Sequence, residues 1–311
     1  MQEVQLSIGT FTRSVLLHVA RRSGGLRRAG IDIREQSVES SPAQFRSLAA
    51  RELDLVLTSP DNTLAYRFVD NNPLGRILDV EILAAIDRGL GLSLCLAPQL
   101  DDIESVRDQA VGVDVPRSGF AFVAYALLED AGLLPGDYGI EALGSTPRRA
   151  SALIAGNCSA TVLNAGNELH AEGAGCTIVS GVSCLGPYLG TVLAAMATPD
   201  PSEQSGRLRF ADVLLETSKE ICAGQWESEM IEAGMTLLGL TSQEAQAHHA
   251  CLLDPLKGLI PDGIVDRASM TTLIDLRQKY LPTTQLHSIA DKLGTLVVDR
   301  ALEESPGSAD E

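Results

Sequence analysis

Five short polar stretches carry the side chains of this sequence best suited to hold or transform a small molecule. The first, "GTFTRS", offers hydroxyls at Thr10 and Thr12, a stacking face at Phe11 and a charge at Arg13. If it opens the helix "RSVLLHVA", its free backbone N–H groups favour an anionic or carbonyl oxygen, and Thr12 is equally a candidate helix cap. In "TSPDN", Ser59, Asp61 and Asn62 follow a short apolar strand. Asp61 there either caps the next helix or accepts a bond from a cationic or amino-bearing ligand. "DVPRSGFAF" puts Arg117, Ser118, Gly119 and Phe120 at the start of a strongly apolar helix, where amide donors and a glycine that permits close approach suit an anion. "LNAGN" supplies Asn164 and Asn167, which either read a ring nitrogen or carboxylate or make a turn. In "LGPYLGT", Tyr188 is a candidate ring facing a cleft.

Two chemistries follow from this set. One is capture of a small organic molecule, anionic or heteroaromatic. The other is a reaction, with Asp61 moving a proton, Arg13 and Arg117 clamping an anion, and His18 as a further candidate. Metal chemistry has less support. His248 and His249 are adjacent on a helix and point to different faces, and no carboxylate or cysteine completes a site at helical spacing. The six cysteines are scattered without a CxxC pair and read as mostly reduced and buried; a Cys176–Cys184 disulfide would arise only in an exported protein. No metal and no cofactor is expected. Trp226 reads as packing, and "GVSCLG" misses the G-x-S-x-G pattern.

Composition bounds the partners. A net charge of -17 over 311 residues lacks the clustered cations that a nucleic-acid backbone requires, and 45% hydrophobic residues can fill a sizeable core. No apolar run approaches the ~20 residues of a membrane span. Residues 1–20 lack the basic start, apolar stretch and cleavage site of a secretory leader, so the chain as written reads as cytoplasmic, or as periplasmic or extracellular if a leader was removed.

The elements that must position these loops alternate. "VQLSIGT", "IDIREQSV" and "LDLVLTS" read as strands, separated by the helices "RSVLLHVARRSG" and "SPAQFRSLAAREL", the latter with Ser41 as cap and Pro42 in its first turn. Such β-α-β-α-β order predicts a parallel sheet with ligands at the strand ends. The same grammar restarts with "LSLCLAP", "AVGVDV", the helix "SGFAFVAYALLEDAGL", the helix "TPRRASALIAG" and the strand "SATVLNA". "GPYLGTVLAAMA" reads as a strand returning to the first lobe. "TPDPSEQSG" then reads as a surface loop, and the remainder as a helical wrap. The expected division is lobe I over 1–93 and again over 191–302, lobe II over 94–190, hinges near 91–97 and 188–196, and a disordered tail over 303–311.

This order, with its wording, resembles the α/β, two-lobed type II periplasmic-binding-protein fold, and within it the nitrate, sulfonate, taurine and thiamine-precursor substrate-binding proteins of ABC transporters. "SPAQFRSLAARELDLVLTSPDNTLAYR" is similar to that family's helix, strand and pocket loop, "AVGVDVPRSGFAFVAYALLEDAGLLPGDY" to its entry into the second lobe, and "STPRRASALIAGNCSATVLNAGNELHAEG" to the segment that follows. "LIDLRQKYL" resembles its late helix, so the likeness covers roughly residues 4–302. The resemblance implies two mainly parallel sheets flanked by helices, a C-terminal helical wrap, a ligand closed between lobes, and an ABC permease as partner if the chain is exported. The chain departs from the family in showing no leader. The fold also resembles cytosolic enzymes, which implies the alternative of a lyase-type step such as decarboxylation, dehydration or C–S cleavage of a small acid.

Overall fold

The computed structural model describes residues 3–286 and 289–302, so the expected tail over 303–311 lies outside the described residues. The chain opens with β1 (Val4–Thr10), α1 (Val15–Arg22), α2 (Gly25–Arg28), β2 (Ile31–Ser37), α3 (Ser41–Ala49), β3 (Leu55–Thr58), α4 (Pro60–Phe68) and β4 (Val80–Asp87). It crosses to a second unit of β5 (Ser93–Leu96), β6 (Ala110–Val113), α5 (Gly119–Asp130), β7 (Gly139–Ala142), α6 (Thr146–Ile154), β8 (Ala160–Leu163), α7 (Asn167–Gly173) and β9 (Thr177–Gly181). It returns through β10 (Thr191–Met196) and ends in α8 (Pro201–Cys222), α9 (Glu227–Leu238), α10 (Ser242–Leu253), α11 (Arg267–Tyr280) and α12 (Ile289–Leu296).

Two five-stranded sheets result, ordered β2-β1-β3-β10-β4 and β7-β6-β8-β5-β9. In each, one strand runs against the others: β10 is antiparallel to β3 and β4, and β5 to β8 and β9. These are the two strands by which the chain enters a lobe from the other one. The other pairings within the two sheets are parallel, as short βαβ connections require. Helices cover both faces of the sheets, so central strands such as β3, β5 and β8 are buried at every position and read as unbroken apolar runs.

Several boundaries differ from the sequence reading, each for a local reason. The cap of α3 is Ser40, whose hydroxyl accepts from Ala43 N at 3.4 Å, so Ser41 is already helical. "TPDPSEQSG" is mostly helix. Asp200 accepts from Ser202 N at 2.9 Å, and Pro201 sits in the first turn, where its missing N–H costs nothing. The wrap is broken after α8, where Gly224 (φ 83°) and Trp226 (φ 65°) turn left-handed, and the Trp226 indole donates to Glu220 Oε2 at 2.7 Å. Strands β4, β7 and β9 carried no recognised signal: β7 is an exposed edge, and β4 is apolar nearly throughout. All six cysteines are free; Cys95, Cys158 and Cys176 are buried, but Cys184 and Cys222 are exposed.

The chain passes between lobes at 88–92 and 182–190. Here the two crossing segments are in backbone contact. A Cβ on Gly190 would lie 2.2 Å from Gly89 N and 2.3 Å from Gly89 Cα, so only glycine fits. Gly190 N donates to Asp87 O at 2.9 Å, and the Asp87 carboxylate accepts from Gly89 N at 2.8 Å. The sequence set α11 with lobe I, yet it packs on both lobes. One continuous apolar cluster joins Leu64 and Ile82 of the first lobe, Phe122 and Leu127 of α5, and Met270 and Leu273 of α11.

Candidate functional site

A cavity of about 120 Å³ lies between the lobes, above the hinge. Four helices begin at it. Their N-cap residues are Ser14 for α1, Ser59 for α4, Ser118 for α5 and Ser145 for α6, and all four line the space. Two come from each lobe. Each helix start leaves backbone N–H groups without helical partners and carries the positive end of the helix dipole, so all four contribute positive potential to the cavity, opposite the Asp87 and Asp114 side chains on the same lining.

The first wall is the β1–α1 loop, with Thr10, Phe11, Thr12 and Arg13 all lining the cavity. Its conformation is held by Glu35 of β2, whose carboxylate accepts from Thr10 Oγ1 at 3.0 Å and from Ser14 N at 2.9 Å and lies 4.0 Å from Arg13 Nε. The cap of α1 is therefore Ser14, whose Oγ accepts from Leu17 N at 3.2 Å, not Thr12. The second wall is the start of α4. Ser59 Oγ accepts from Asp61 N at 3.3 Å, which corrects the expectation that Asp61 caps this helix, and Asn62 Nδ2 donates to Thr58 Oγ1 at 3.0 Å.

Lobe II supplies Ser118, Gly119, Phe120 and Asn164 from the expected set. Ser118 Oγ accepts from Ala121 N at 3.1 Å and donates to Asp114 Oδ1. Burial pushes the Asp114 carboxyl up, opposed by the charge of Arg149 and the bond from Ser118. Asn164 Nδ2 donates to Gly89 O at 3.1 Å, tying the wall to the hinge, while Asn167 donates to Asn164 O at 2.8 Å and so takes the turn role. Beneath them lies Arg149, only 1% exposed. Its Nη1 donates to Gly144 O at 2.6 Å and its Nη2 to Thr146 Oγ1 and Val162 O, each at 3.1 Å, while its Nε has no partner among the described residues. At the floor is Asp87, whose carboxyl burial pushes up to about 6 against the bonds from Thr191 and Gly89.

Four expected site residues are elsewhere. Asp61 is fully buried and makes a two-point ion pair with Arg277 of α11, Nε to Oδ1 and Nη2 to Oδ2, both at 2.6 Å. The Arg277 guanidinium lies 5.1 Å from the Phe122 ring centroid and reaches the Arg117 carbonyl at 3.5 Å, so a first-lobe carboxylate is clasped to the second lobe through α11. Gly119 serves this clasp as much as the cavity, because a Cβ there would lie 2.6 Å from Asp61 Cβ. Arg117 is exposed and faces a neighbouring groove beside Arg277. Tyr188 is 3% exposed and packs at the hinge against Gly89 rather than on the cavity. His18 sits half-buried on α1, where burial and then Arg22 lower its pKa. The proton-transfer set Asp61, Arg13, Arg117 and His18 is thus not assembled at one point, since a buried ion pair occupies Asp61 and the outer surface takes Arg117.

Beside the hinge, Glu168 at the start of α7 is 3% exposed and its Oε2 has no partner among the described residues. Its Oε1 lies 2.8 Å from where a Cβ on Gly91 would stand. Burial pushes its carboxyl up to about 8. The folded chain therefore keeps a proton that the unfolded chain releases at ordinary carboxylate pH. The stability it gives is complete at low pH and is lost as pH rises towards and through about 8. In Glu168→Gln that loss is absent, so the Tm of the variant relative to the parent should climb between pH 5 and pH 8.5, by an amount worth on the order of 4 kcal/mol. A difference independent of pH would show that Glu168 is ionised throughout.

Neither a family model nor a curated protein matches the chain. Solved structures do. One from Bordetella bronchiseptica RB50 is 15% identical, with 97% of this chain and 95% of that chain covered and a TM-score of 0.74. The alkanesulfonate-binding protein SsuA from Xanthomonas axonopodis pv. citri, bound to MOPS, is 14% identical over 98% of this chain and 100% of that chain, with a TM-score of 0.69. The periplasmic nitrate-binding protein NrtA from Synechocystis PCC 6803 is 13% identical, covering 94% of this chain and 86% of that chain at a TM-score of 0.73. At these identities the likeness establishes the fold, which is the two-lobed type II periplasmic-binding-protein fold.

Proposed function

We propose that the protein is a solute-binding protein that encloses one small organic molecule, anionic or heteroaromatic, between its lobes. The observation that carries this reading is the presence of four helix starts, each with serine at the N-cap position and two from each lobe, on the lining of one small cavity. An anionic or carbonyl group there meets unpaired N–H donors from both lobes at once, so its binding favours the closed arrangement over the open one. The ring of Phe120 and that of Phe11 flank the same space and suit a flat or apolar remainder. At roughly 10–15 Å³ of such space per water-sized group, the cavity suits a ligand of about ten non-hydrogen atoms.

The likeness to alkanesulfonate- and nitrate-binding proteins supports the same role, and with it an ABC permease as the partner that receives the solute. A periplasmic or extracellular location fits that role. Among the described residues no helix is long and apolar enough to cross a membrane. The lyase-type reading has no geometric support, because its four candidate residues are separated.

The test is a panel of small sulfonates, carboxylates and aminopyrimidines, screened by thermal shift and followed by titration calorimetry and mass analysis of the recovered ligand. A ligand at 100 times its Kd should stabilise the protein by about 2.7 kcal/mol, and it should be recovered with unchanged mass. A recovered ligand of altered mass would overturn the binding reading.

A further inference from the structure

Beside the cavity lies a second, larger space of about 310 Å³, and it too is built by both lobes. Pro42 at the start of α3 and Pro73 beyond α4 come from lobe I, Val115 and Pro116 from the β6–α5 loop of lobe II, and Leu281 follows α11. All five keep accessible surface, so the groove presents an apolar wall to solvent. Asn62 and Ser118 line both spaces and mark where they meet. Two guanidinium groups lie on the groove. Arg277 is taken by Asp61, whereas Arg117 is exposed and enters no ion pair among the described residues. On a chain of net charge -17 no general positive field draws an anion here, so any pairing with one falls to this group.

We propose that the groove is a second binding site, for an apolar acid larger than the cavity can hold, whose hydrophobic body lies on the prolines and whose acid group pairs with Arg117. The planar fork of a guanidinium meets a carboxylate or sulfonate through two parallel bonds, and the apolar walls give the rest of the molecule a dry surface. At roughly 10–15 Å³ per water-sized group, the groove suits on the order of 20–30 non-hydrogen atoms, where the cavity suits about ten. Because its walls belong to different lobes, an occupant is touched by both only when they are closed. It therefore favours the same arrangement as a ligand in the cavity. The site stands apart from the solute-binding reading, and only its coupling to the cavity rests on that reading.

Anilinonaphthalenesulfonate, an acid of about twenty non-hydrogen atoms, and anilinonaphthalene, the same rings without the acid group, are titrated against the whole protein by fluorescence. The sulfonate should bind about tenfold tighter than the uncharged compound. Arg117→Ala should remove that preference and leave the weaker binding of the rings, and Arg117→Lys should restore part of it. Pro73→Glu, which adds a negative charge to the lobe I wall, should weaken the sulfonate more than the uncharged compound. Equal binding of the two probes by the parent would overturn the site. So would a preference lost in Arg13→Ala and kept in Arg117→Ala, which would put the sulfonate in the cavity. With a cavity ligand identified from the panel of small solutes, saturating sulfonate should tighten its binding, and that ligand should tighten the sulfonate by the same factor. Competition would overturn the second site, and independence would overturn its bridging of the lobes. If no solute binds the cavity while the sulfonate binds through Arg117, the groove is upheld and the solute-binding reading is overturned.

Discussion

Arg277→Ala is expected to lower stability by about 3–5 kcal/mol, because it leaves the Asp61 carboxylate buried without its ion-pair partner. For a chain of 311 residues that corresponds to a fall in Tm of roughly 5–8 °C. The effect reaches beyond one ion pair. Arg277 also covers the Phe122 ring, and α11 is fixed to α5 by the Tyr280 hydroxyl and Lys279 Nζ on Glu129 Oε2, at 2.6 and 2.8 Å. The guanidinium is therefore the point at which lobe I is joined to a helix already held by lobe II. Asp61→Asn should cost at least as much as Arg277→Ala, since it leaves the Arg277 guanidinium, 3% exposed, without its counter-charge, and the double variant Asp61→Asn/Arg277→Ala should lose less than the two single losses added together. Chemical denaturation of the four proteins checks this. Additive losses would show that Asp61 and Arg277 do not act as a pair.

The second large effect is expected at the hinge. Gly190→Ala places a methyl group 2.2–2.3 Å from Gly89 backbone atoms and 2.6 Å from Asp87 Oδ1, and backbone cannot step aside as a side-chain end can. A loss of roughly 3 kcal/mol or more is expected, above the usual range for a surface substitution. Gly136→Ala is the control. Unlike Gly190 it has a positive φ, 108°, and no atom lies within 4 Å of the added carbon, so only the backbone preference is lost there, about 1–2 kcal/mol. Equal losses at the two positions would refute steric contact between the crossing segments. Because Asp87 and Asn164 both bond to Gly89, the same change should also weaken ligand binding, read by calorimetry on whatever fraction folds.

The fold was legible because strand–helix alternation is written in residue types, and most of the cavity was legible because open α/β sheets put their ligands at strand ends. Thr10, Ser59, Asn62, Ser118 and Asn164 were found by that rule alone. The residues it missed fall into two kinds. Asp87 and Asp114 also stand at or just past strand ends, but β4 is a nearly unbroken apolar run without the alternation that marks a strand, and after β6 the Ser-Gly at the helix start is the stronger signal. Arg149 and His248 instead occupy the apolar stripe of a helix. In α6 the buried positions are Thr146, Arg149, Ala150 and Leu153, and in α10 they are Ala245, His248, His249 and Leu252. A polar residue at a position where the period demands an apolar one is the available signal, and it needs the helix phase to be known first. Glu35 shows the same logic in a strand, falling in phase with Ile31 and Ile33 on the inward face of β2. Asp61 is the opposite case. Its place after a strand and before a helix suited a ligand, and its partner lies 216 residues away, beyond any local pattern.

The exchanged strands also set an order of events in time. Residues 93–181 form every strand of the second sheet in one continuous run, so that sheet can close as soon as this stretch has left the ribosome. The first sheet cannot. Its place between β3 and β4 is filled by β10, which is synthesised about 100 residues after β4, and until then both neighbours present unpaired edges. The lobe begun first is completed last, and its half-built sheet is the stage of biogenesis most in need of a chaperone's protection.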